Sequence, residues 1–496
     1  MIDITQMLQE VIALYSRKNL RDAEITCRKI LALEPDHPDA NHFFGIIAYE
    51  TGNFPVAREY VNKALGFMPQ NASCYLNMGN IVQSEGNFVD SIKWYQEAIK
   101  YDAAYKRAYN NIGVALTKLG KLSQAVENLQ KAIDLDPQYF EAHNNIGETW
   151  RYLGEYERSL VSCERALSIM PDFVPARWNR SILYLLNGQF EQGWAEYEWR
   201  WKRPNTPIRK IDAGVMWDGS PFAGKTLFVY EEQGMGDTLQ FIRYLPLVKQ
   251  LGGHIIFEVL TPMIRLVESF QGFDRLWVGL RNVDTRPVDR FDFHIPLLSL
   301  PRVLNANYAD IPADIPYLKA DKKLIQIWNG HINSCNINND NSLKVGIVWA
   351  GHPSHTNDNN RSVLLSTFST LKNIEGVKLF SLQKDKYKKW TDIDPDQIFE
   401  QDLGEQISDF ADTAAMIENL DLVISVDTAI VHLAGALGKN VWTLLPFSPD
   451  WRWMINREDS PWYPTMKLFR QSVPGSWEPV FENVKAHLME HLQQKN

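Results

Sequence analysis

Two short loops hold the residue types that could do chemistry. In Gly234-Met235-Gly236-Asp237-Thr238, two glycines follow the apolar run 225–231 (KTLFVYE), with a carboxylate immediately after the second. Glycines placed after a strand let backbone N–H groups turn toward an anion where a helix starts. A carboxylate there repels phosphate. Asp237 is therefore either a cap of the following helix or a general base that takes a proton from a hydroxyl. The second loop, Ser425-Val426-Asp427-Thr428-Ala429-Ile430-Val431-His432-Leu433-Ala434-Gly435-Ala436-Leu437-Gly438, closes the apolar run 421–426 (DLVISV). Asp427 or Thr428 can cap a small-residue helix that stops at Gly438, and the free N–H groups and dipole of its first turn can receive a diphosphate. His432 lies one turn beyond Thr428 on the same helix face, either beside that anion or packed in the interior.

These loops need strands to hold them. From about residue 208 the chain alternates short apolar runs with helical stretches, the pattern of parallel sheets covered by helices. A first lobe, 208–335, has strands expected at 225–231, 254–260 and 291–298, and a helix at 238–249. The asparagine-rich stretch 333–342 reads as a linker. A second lobe, 336–496, has strands expected at 344–350, 377–382, 421–426 and 440–445, and a closing C-terminal helix. Two lobes of this kind leave a cleft between the carboxyl ends of their sheets, where ligands bind.

Residues 1–207 follow a different rule. Gly45, Gly79, Gly113 and Gly147 are 34 residues apart, and Gly52, Gly86, Gly120, Gly154 and Gly188 keep the same step. Helix formers lie between the two glycines of each unit, and Pro35, Pro69, Pro137 and Pro171 end second helices, because proline lacks the donor and clashes with the preceding turn. The unit is a pair of helices joined by a tight turn, and its period and small-residue positions are similar to those of the tetratricopeptide repeat. Five good units span 4–173. In the sixth, Ser181 and Gly193 replace the expected Gly and Ala, and GWAEYEWRW makes an aromatic cap that docks on the next part of the chain. Such repeats stack into a superhelix with a concave groove. Asn77, Asn110, Asn111, Asn144 and Asn145 on first helices are either ordinary helix polarity or an amide ladder that hydrogen-bonds an acceptor peptide, since asparagine both donates and accepts.

Composition removes several classes. A net charge of −9 opposes general nucleic-acid binding, which needs a basic surface. The four cysteines are far apart, with neither metal nor disulfide spacing, so a cytoplasmic location is expected. The amino-terminal stretch reads as the first repeat helix rather than a signal peptide. Charged and polar residues interrupt every long apolar stretch, so no transmembrane segment is expected.

The pieces GMGDTLQFIRYLP and SVDTAIVHLAGALG resemble the two hallmarks of the heptosyltransferase-like glycosyltransferases. The whole layout, with GWAEYEWRW before the lobes and DSPWYPTMKLFRQ near the end, resembles the bacterial tetratricopeptide-repeat glycosyltransferases. These are similar in layout to protein O-GlcNAc transferases and flagellin glycosyltransferases. The resemblance implies an α solenoid followed by a GT-B fold of two Rossmann-like lobes and a nucleotide-sugar donor; no acidic pair stands at metal-binding spacing in the sequence, so no obligatory metal cofactor is expected. The resemblance also implies an inverting transfer to a hydroxyl of a protein acceptor, flagellin being one example. Asp237 then takes the place of the base. Asp427, Thr428 and His432 fall on the donor's diphosphate or ribose side, with Gly234, Gly236 and Thr238 on the facing loop. The lysine that the heptosyltransferases carry on the loop after the first strand of their second lobe is absent from 351–362. Arg361 is the cation there that can offset leaving-group charge through paired hydrogen bonds. Gln383 and Lys384 are further candidates for nucleotide contacts, although Lys384 is equally a solvated surface lysine. The rival readings are an inactive repeat scaffold and a transferase acting on a lipid-linked or lipopolysaccharide glycan. The latter predicts a basic amphipathic membrane face that the acidic chain lacks.

Overall fold

A computed structural model describes residues 3–203, 211, 214–279, 290–333, 342–355 and 357–495. The expected domain boundaries at 207 and 335 and most of the asparagine-rich linker lie outside these residues. The chain forms two compact units, Met1–Arg180 and Ser181–Asn496.

The first unit is built of helix pairs: α1 (Ile4–Ser16) with α2 (Leu20–Leu33), α3 (Pro38–Glu50) with α4 (Phe54–Phe67), α5 (Ala72–Ser84) with α6 (Phe88–Tyr101), α7 (Lys106–Lys118) with α8 (Leu122–Leu135), and α9 (Phe140–Tyr152) with α10 (Tyr156–Ile169). The sixth pair comprises α11 (Val174–Leu186) and α12 (Phe190–Tyr197), and α12 belongs to the second unit. The two glycine ladders answer to two different physical demands. Gly52, Gly86, Gly120, Gly154 and Gly188 all adopt positive φ, between 72° and 84°, in the turn between the helices of a pair, a conformation in which a Cβ is strained. Gly45, Gly79 and Gly113 instead face the second helix at close range: an added Cβ would lie 2.7 Å from Val61, 2.4 Å from Tyr95 and 2.4 Å from Leu129. In the sixth pair the small residue has changed helix. Ser181 is buried, and an added Cβ at Gly193 would lie 2.6 Å from Leu185. Asn19, Asn53 and Asn87 repeat at the turn as side-chain caps of α2, α4 and α6, each satisfying an otherwise unpaired N–H.

This contrast gives a stability prediction. Gly79→Ala is expected to destabilise the repeats by about 1–3 kcal/mol through overpacking against Tyr95. Gly66→Ala, inside α4 with nothing within 4 Å of the new Cβ, is expected to be neutral or to stabilise by up to about 1 kcal/mol. Urea unfolding of the two variants checks the difference, and equal midpoints would contradict it.

First helices of successive pairs touch one another as well as their partners (α3 with α5, α5 with α7, α7 with α9). They therefore line the more closely packed, inner side of the stack.

The second unit holds two parallel sheets. The first has the order β1 (Val215–Met216), β5 (Phe293–Pro296), β2 (Thr226–Tyr230), β3 (His254–Leu260), β4 (Arg275–Gly279). The second has the order β11 (Met466–Arg470), β10 (Val441–Leu445), β9 (Leu422–Val426), β6 (Leu343–Val348), β7 (Val377–Ser381), β8 (Gln401–Asp402). Every pairing between these strands is parallel, and one isolated antiparallel bridge joins Asp459 to Lys467 of β11. In each sheet the chain runs outward from a central strand, β2 or β6, and then returns to that strand's other side. The carboxyl ends of β2, β6 and β9 are thus at topological switch points, where open α/β sheets bind ligands.

The helix expected at 238–249 is interrupted. It comprises α13 (Met235–Phe241), one 3-10 turn, and a second helix Leu245–Gln250. Pro246 lies in the first turn of the second piece, where the missing N–H is tolerated; within a continuous helix it would break the ladder. The helix Glu478–Lys495 closes the chain, with Val480, Phe481, Val484 and Leu488 buried against the core of the second sheet.

Candidate active site

The two loops meet. α13 packs on α14 (Ala429–Ala436), and an added Cβ at Gly236 would lie 3.1 Å from His432 Cδ2 and 3.4 Å from Ala429 Cα. Glycine at 236 is thus what lets the first turns of the two helices approach. Thr428 caps α14, its hydroxyl accepting from Ile430 N at 3.3 Å. Asp427 directly precedes it, and Thr238 is buried in α13.

Asp237 has two partners. Its Oδ2 accepts from Gly234 N at 2.7 Å, the capping interaction, and its Oδ1 forms a short ion pair with Arg452. Arg452 is 8% exposed and uses its whole fork: Nε donates to Gln240 Oε1 at 2.7 Å, Nη1 to Asp450 Oδ1 at 2.8 Å and Nη2 to Asp237. Sequence reasoning missed this residue. The available signal was the run Ser448-Pro449-Asp450-Trp451-Arg452-Trp453 soon after an apolar strand, at the carboxyl end of a sheet, where charged residues are set to meet ligands.

Arg361 is also at the junction. Its Nη1 donates to Asp427 O at 2.9 Å, while its buried Nε has no hydrogen-bond partner. Gly351 makes room for it, since an added Cβ would lie 2.2 Å from Arg361 Nη2. Two arginines, and not Arg361 alone, therefore supply positive charge beside the two helix starts. They face four carboxylates, Asp237, Asp358, Asp427 and Asp450, with Arg361 Nε 3.7 Å from Asp358 Oδ1. Among the described residues no group of three or more acidic, histidine or cysteine side chains is arranged to hold a metal ion.

Burial first, and then the neighbouring Asp450, push the Asp427 pKa from 3.8 up to about 6, with Arg361, Trp453 and Arg452 pulling the other way. An acid whose folded pKa is raised lowers stability as pH climbs from its unfolded pKa through its folded one. Asp427→Asn is accordingly expected to raise the melting temperature at about pH 7.5 and to leave it unchanged below about pH 4. A melting series across that range tests the sign; a gain that is the same at both ends would contradict it.

His432 is buried, with its Nδ1 3.0 Å from the Tyr463 hydroxyl and its ring stacked on Trp453 at 5.3 Å. Burial, Arg452 and Arg243 hold its pKa well below 6.5, so it is neutral at pH 7. A neutral imidazole can orient a group or share one hydrogen bond, but it does not offset phosphate charge. Gln383 and Lys384 serve the backbone of their own lobe. Gln383 accepts from Trp349 N and Ala350 N and donates to Ala350 O and Asp385 O, between 3.0 and 3.2 Å. Lys384 is exposed and donates to Ser408 O at 3.0 Å. Gln383 thus shapes the loop after β6 that leads to Arg361.

In the repeats the asparagines form a continuous chain of amides. Asn179 donates to Asn144 (2.9 Å), Asn144 to Asn145 (3.2 Å), Asn145 to Asn110 (2.9 Å), Asn110 to Asn111 (3.0 Å) and Asn111 to Asn80 (2.8 Å). Asn77 stands apart, paired with His42 Nε2 at 2.8 Å. Each amide has two N–H groups and two acceptor lone pairs. Asn110 and Asn144 are buried within this chain and Asn80 also accepts from the Tyr95 hydroxyl, so the half-buried Asn111 and Asn145 are the members placed to bond a further group.

The family described as TPR repeat matches residues 84–120 and 115–150, and the chain carries tetratricopeptide repeats. Protein FlbA of Caulobacter vibrioides is 25% identical over 337 residues, covering 62% of this chain and 54% of its own length. The chain thus spans about half the length of that curated relative. Among solved structures, YrrB, described as a TPR protein with an unusual peptide-binding site, is 22% identical over 35% of this chain and 90% of its own, with TM-score 0.29. Pseudomonas aeruginosa pilF is 17% identical over 40% and 90%, with TM-score 0.36. A thermophilic TPR protein of Thermus thermophilus is 17% identical over 37% and 99%, with TM-score 0.34. Among the described residues no helix is long and apolar enough to cross a membrane.

Proposed function

We propose that the second unit is a GT-B glycosyltransferase that moves a sugar from a nucleotide-sugar donor to a hydroxyl of a protein acceptor held by the repeats. The observation that carries this reading is the meeting of two glycine- and small-residue helix starts at sheet switch points, with Arg361 and Arg452 beside them. Helix-start N–H groups and the positive charge of two neighbouring guanidinium groups suit a diphosphate. The acceptor oxygen attacks the anomeric carbon, its proton passes to Asp237, and the bond from that carbon to the diphosphate oxygen breaks with inversion. Arg361, Arg452 and the first turn of α14 take up the charge of the departing nucleoside diphosphate. The steps assign no role to a metal. The amide chain on the inner side of the repeats supports an extended acceptor segment bonded through its backbone; flagellin is one acceptor of this kind.

Deleting the first five repeat pairs is expected to abolish transfer to a protein acceptor while leaving hydrolysis of the donor intact. Transfer that survived the deletion would end the acceptor role of the repeats. A scaffold without catalysis is the second reading, favoured by one observation: the proposed base is already ion-paired with Arg452. Release of nucleoside diphosphate from a nucleotide sugar separates the two, since a scaffold releases none.

A further inference from the structure

The last helix of the repeat series, α12, packs on elements of the candidate site within the second unit. Arg200, in the 3-10 turn Glu198–Lys202 that continues α12, is 3% exposed. It grips Glu232 with two bonds, Nε to Oε2 at 2.7 Å and Nη2 to Oε1 at 2.8 Å. Its Nη1 donates to Glu198 at 2.7 Å and its Nη2 also to Ser299 at 2.7 Å. The Glu232 side chain is 5% exposed and also accepts from Leu298 N at 3.1 Å. One residue on, Gln233 donates to the Tyr197 hydroxyl at 3.2 Å. Glu232 and Gln233 immediately precede Gly234, whose N–H is bonded by Asp237. The same helix touches the other side of the ion pair. Trp194 meets Trp451 edge-on at 5.2 Å, Tyr197 meets it at 6.1 Å, and an added Cβ at Gly188, in the turn before α12, would lie 2.8 Å from Met454. Arg452 lies within that 451–454 segment.

We infer that Arg200 and Tyr197 are positioning residues for the Asp237–Arg452 pair, holding the loop that leads to Asp237 and the segment that carries Arg452 in register. As a role in catalysis this rests on the transferase reading; as a mechanical link it does not. Buried bidentate pairs fix geometry because each partner left alone would be an uncompensated charge. Losing the Gln233 bond, or the Arg200 fork, frees the loop before Asp237 without touching either sheet.

Hydrogen exchange on the full chain tests the link without any ligand. In Arg200→Lys, amides of residues 232–240 and 450–454 are expected to exchange roughly tenfold faster or more, while those of β6 and β10 keep their protection. Tyr197→Phe, which retains the ring packing, is expected to give a smaller rise confined to 232–240. Unchanged exchange in both variants, or an equal rise throughout the second unit, overturns the inference; should Arg200→Lys not fold, Tyr197→Phe decides. The catalytic half is read with UDP-, GDP-, ADP-, CDP- and dTDP-sugars as probes. Tyr197→Phe should lower the rate of donor hydrolysis at saturation with donor affinity and melting temperature unchanged, and an unchanged rate overturns that half. If the wild-type chain binds none of these sugars, the transferase reading fails, and the exchange result still decides whether the two residues hold the pair.

Discussion

Arg452→Met is expected to cost the second unit about 3–5 kcal/mol, the range for removing one partner of a buried charge pair. The guanidinium is the common partner of Asp237, Asp450 and Gln240, and it also pulls down the pKa of the enclosed Asp427. Without it, two carboxylates lose their ion pair and a third a favourable neighbour, at a point where solvent is largely excluded. Methionine replaces the volume of the stem but none of the charge. The loss should therefore shrink at low pH, where the enclosed Asp427, whose pKa is raised by burial and held back by Arg452, takes up its proton. Arg452→Lys keeps one charge but cannot hold three partners with a planar fork, so it should fall between wild type and methionine. Urea unfolding near neutral pH and again near pH 4 measures all of this. A loss below about 1 kcal/mol would put the residue in the class of solvent-screened surface pairs and remove it from the centre of the site.

Asp237→Asn is expected to reduce transfer, and hydrolysis of the donor, by about 10²–10⁴-fold, the usual contribution of a positioned base. Donor affinity should change only severalfold. The amide oxygen of asparagine can still accept from Gly234 N, but its NH2 then faces Arg452, so a loss of stability is expected to accompany the loss in kcat. If the carboxylate acts only as a cap and as the partner of Arg452, turnover by the folded protein stays within about twofold and the effect is on stability alone. Steady-state kinetics together with a melting curve on the same preparation separates the two.

The repeats could be read from the sequence because each unit must meet the same two steric demands every 34 residues. A turn needs positive φ, and a helix face needs no side chain, as at Gly79 against Tyr95. The strands β2, β3, β5, β6, β7, β9 and β10 were equally visible, since largely buried parallel strands form short, mostly apolar runs. β1 and β8 are only two residues long and carry no period. β4 and β11 lie at sheet edges, where Arg275, Lys467 and Arg470 interrupt the apolar run. The site was half visible. Gly236, Asp237 and Thr428 announce themselves by standing at strand ends, but the ion pair joining Asp237 to Arg452 spans 215 residues of chain. No local pattern reports a partner that only the packing of two sheets brings near. Gln383 shows the converse: a polar side chain beside a strand end, suited to a ligand, is engaged by the loop it shapes.

Thermal stabilisation by a panel of UDP-, GDP-, ADP-, CDP- and dTDP-sugars decides whether this junction binds a nucleotide sugar. At a concentration about a hundredfold above its Kd, a ligand that binds only the folded state contributes about 2.7 kcal/mol. The expected result is a dose-dependent rise in melting temperature with at least one sugar, lost in Arg361→Met when its shift is measured from the variant's own ligand-free melting temperature, which falls because Arg361 is largely buried beside Asp358. A panel in which no sugar moves the wild-type transition would contradict the account.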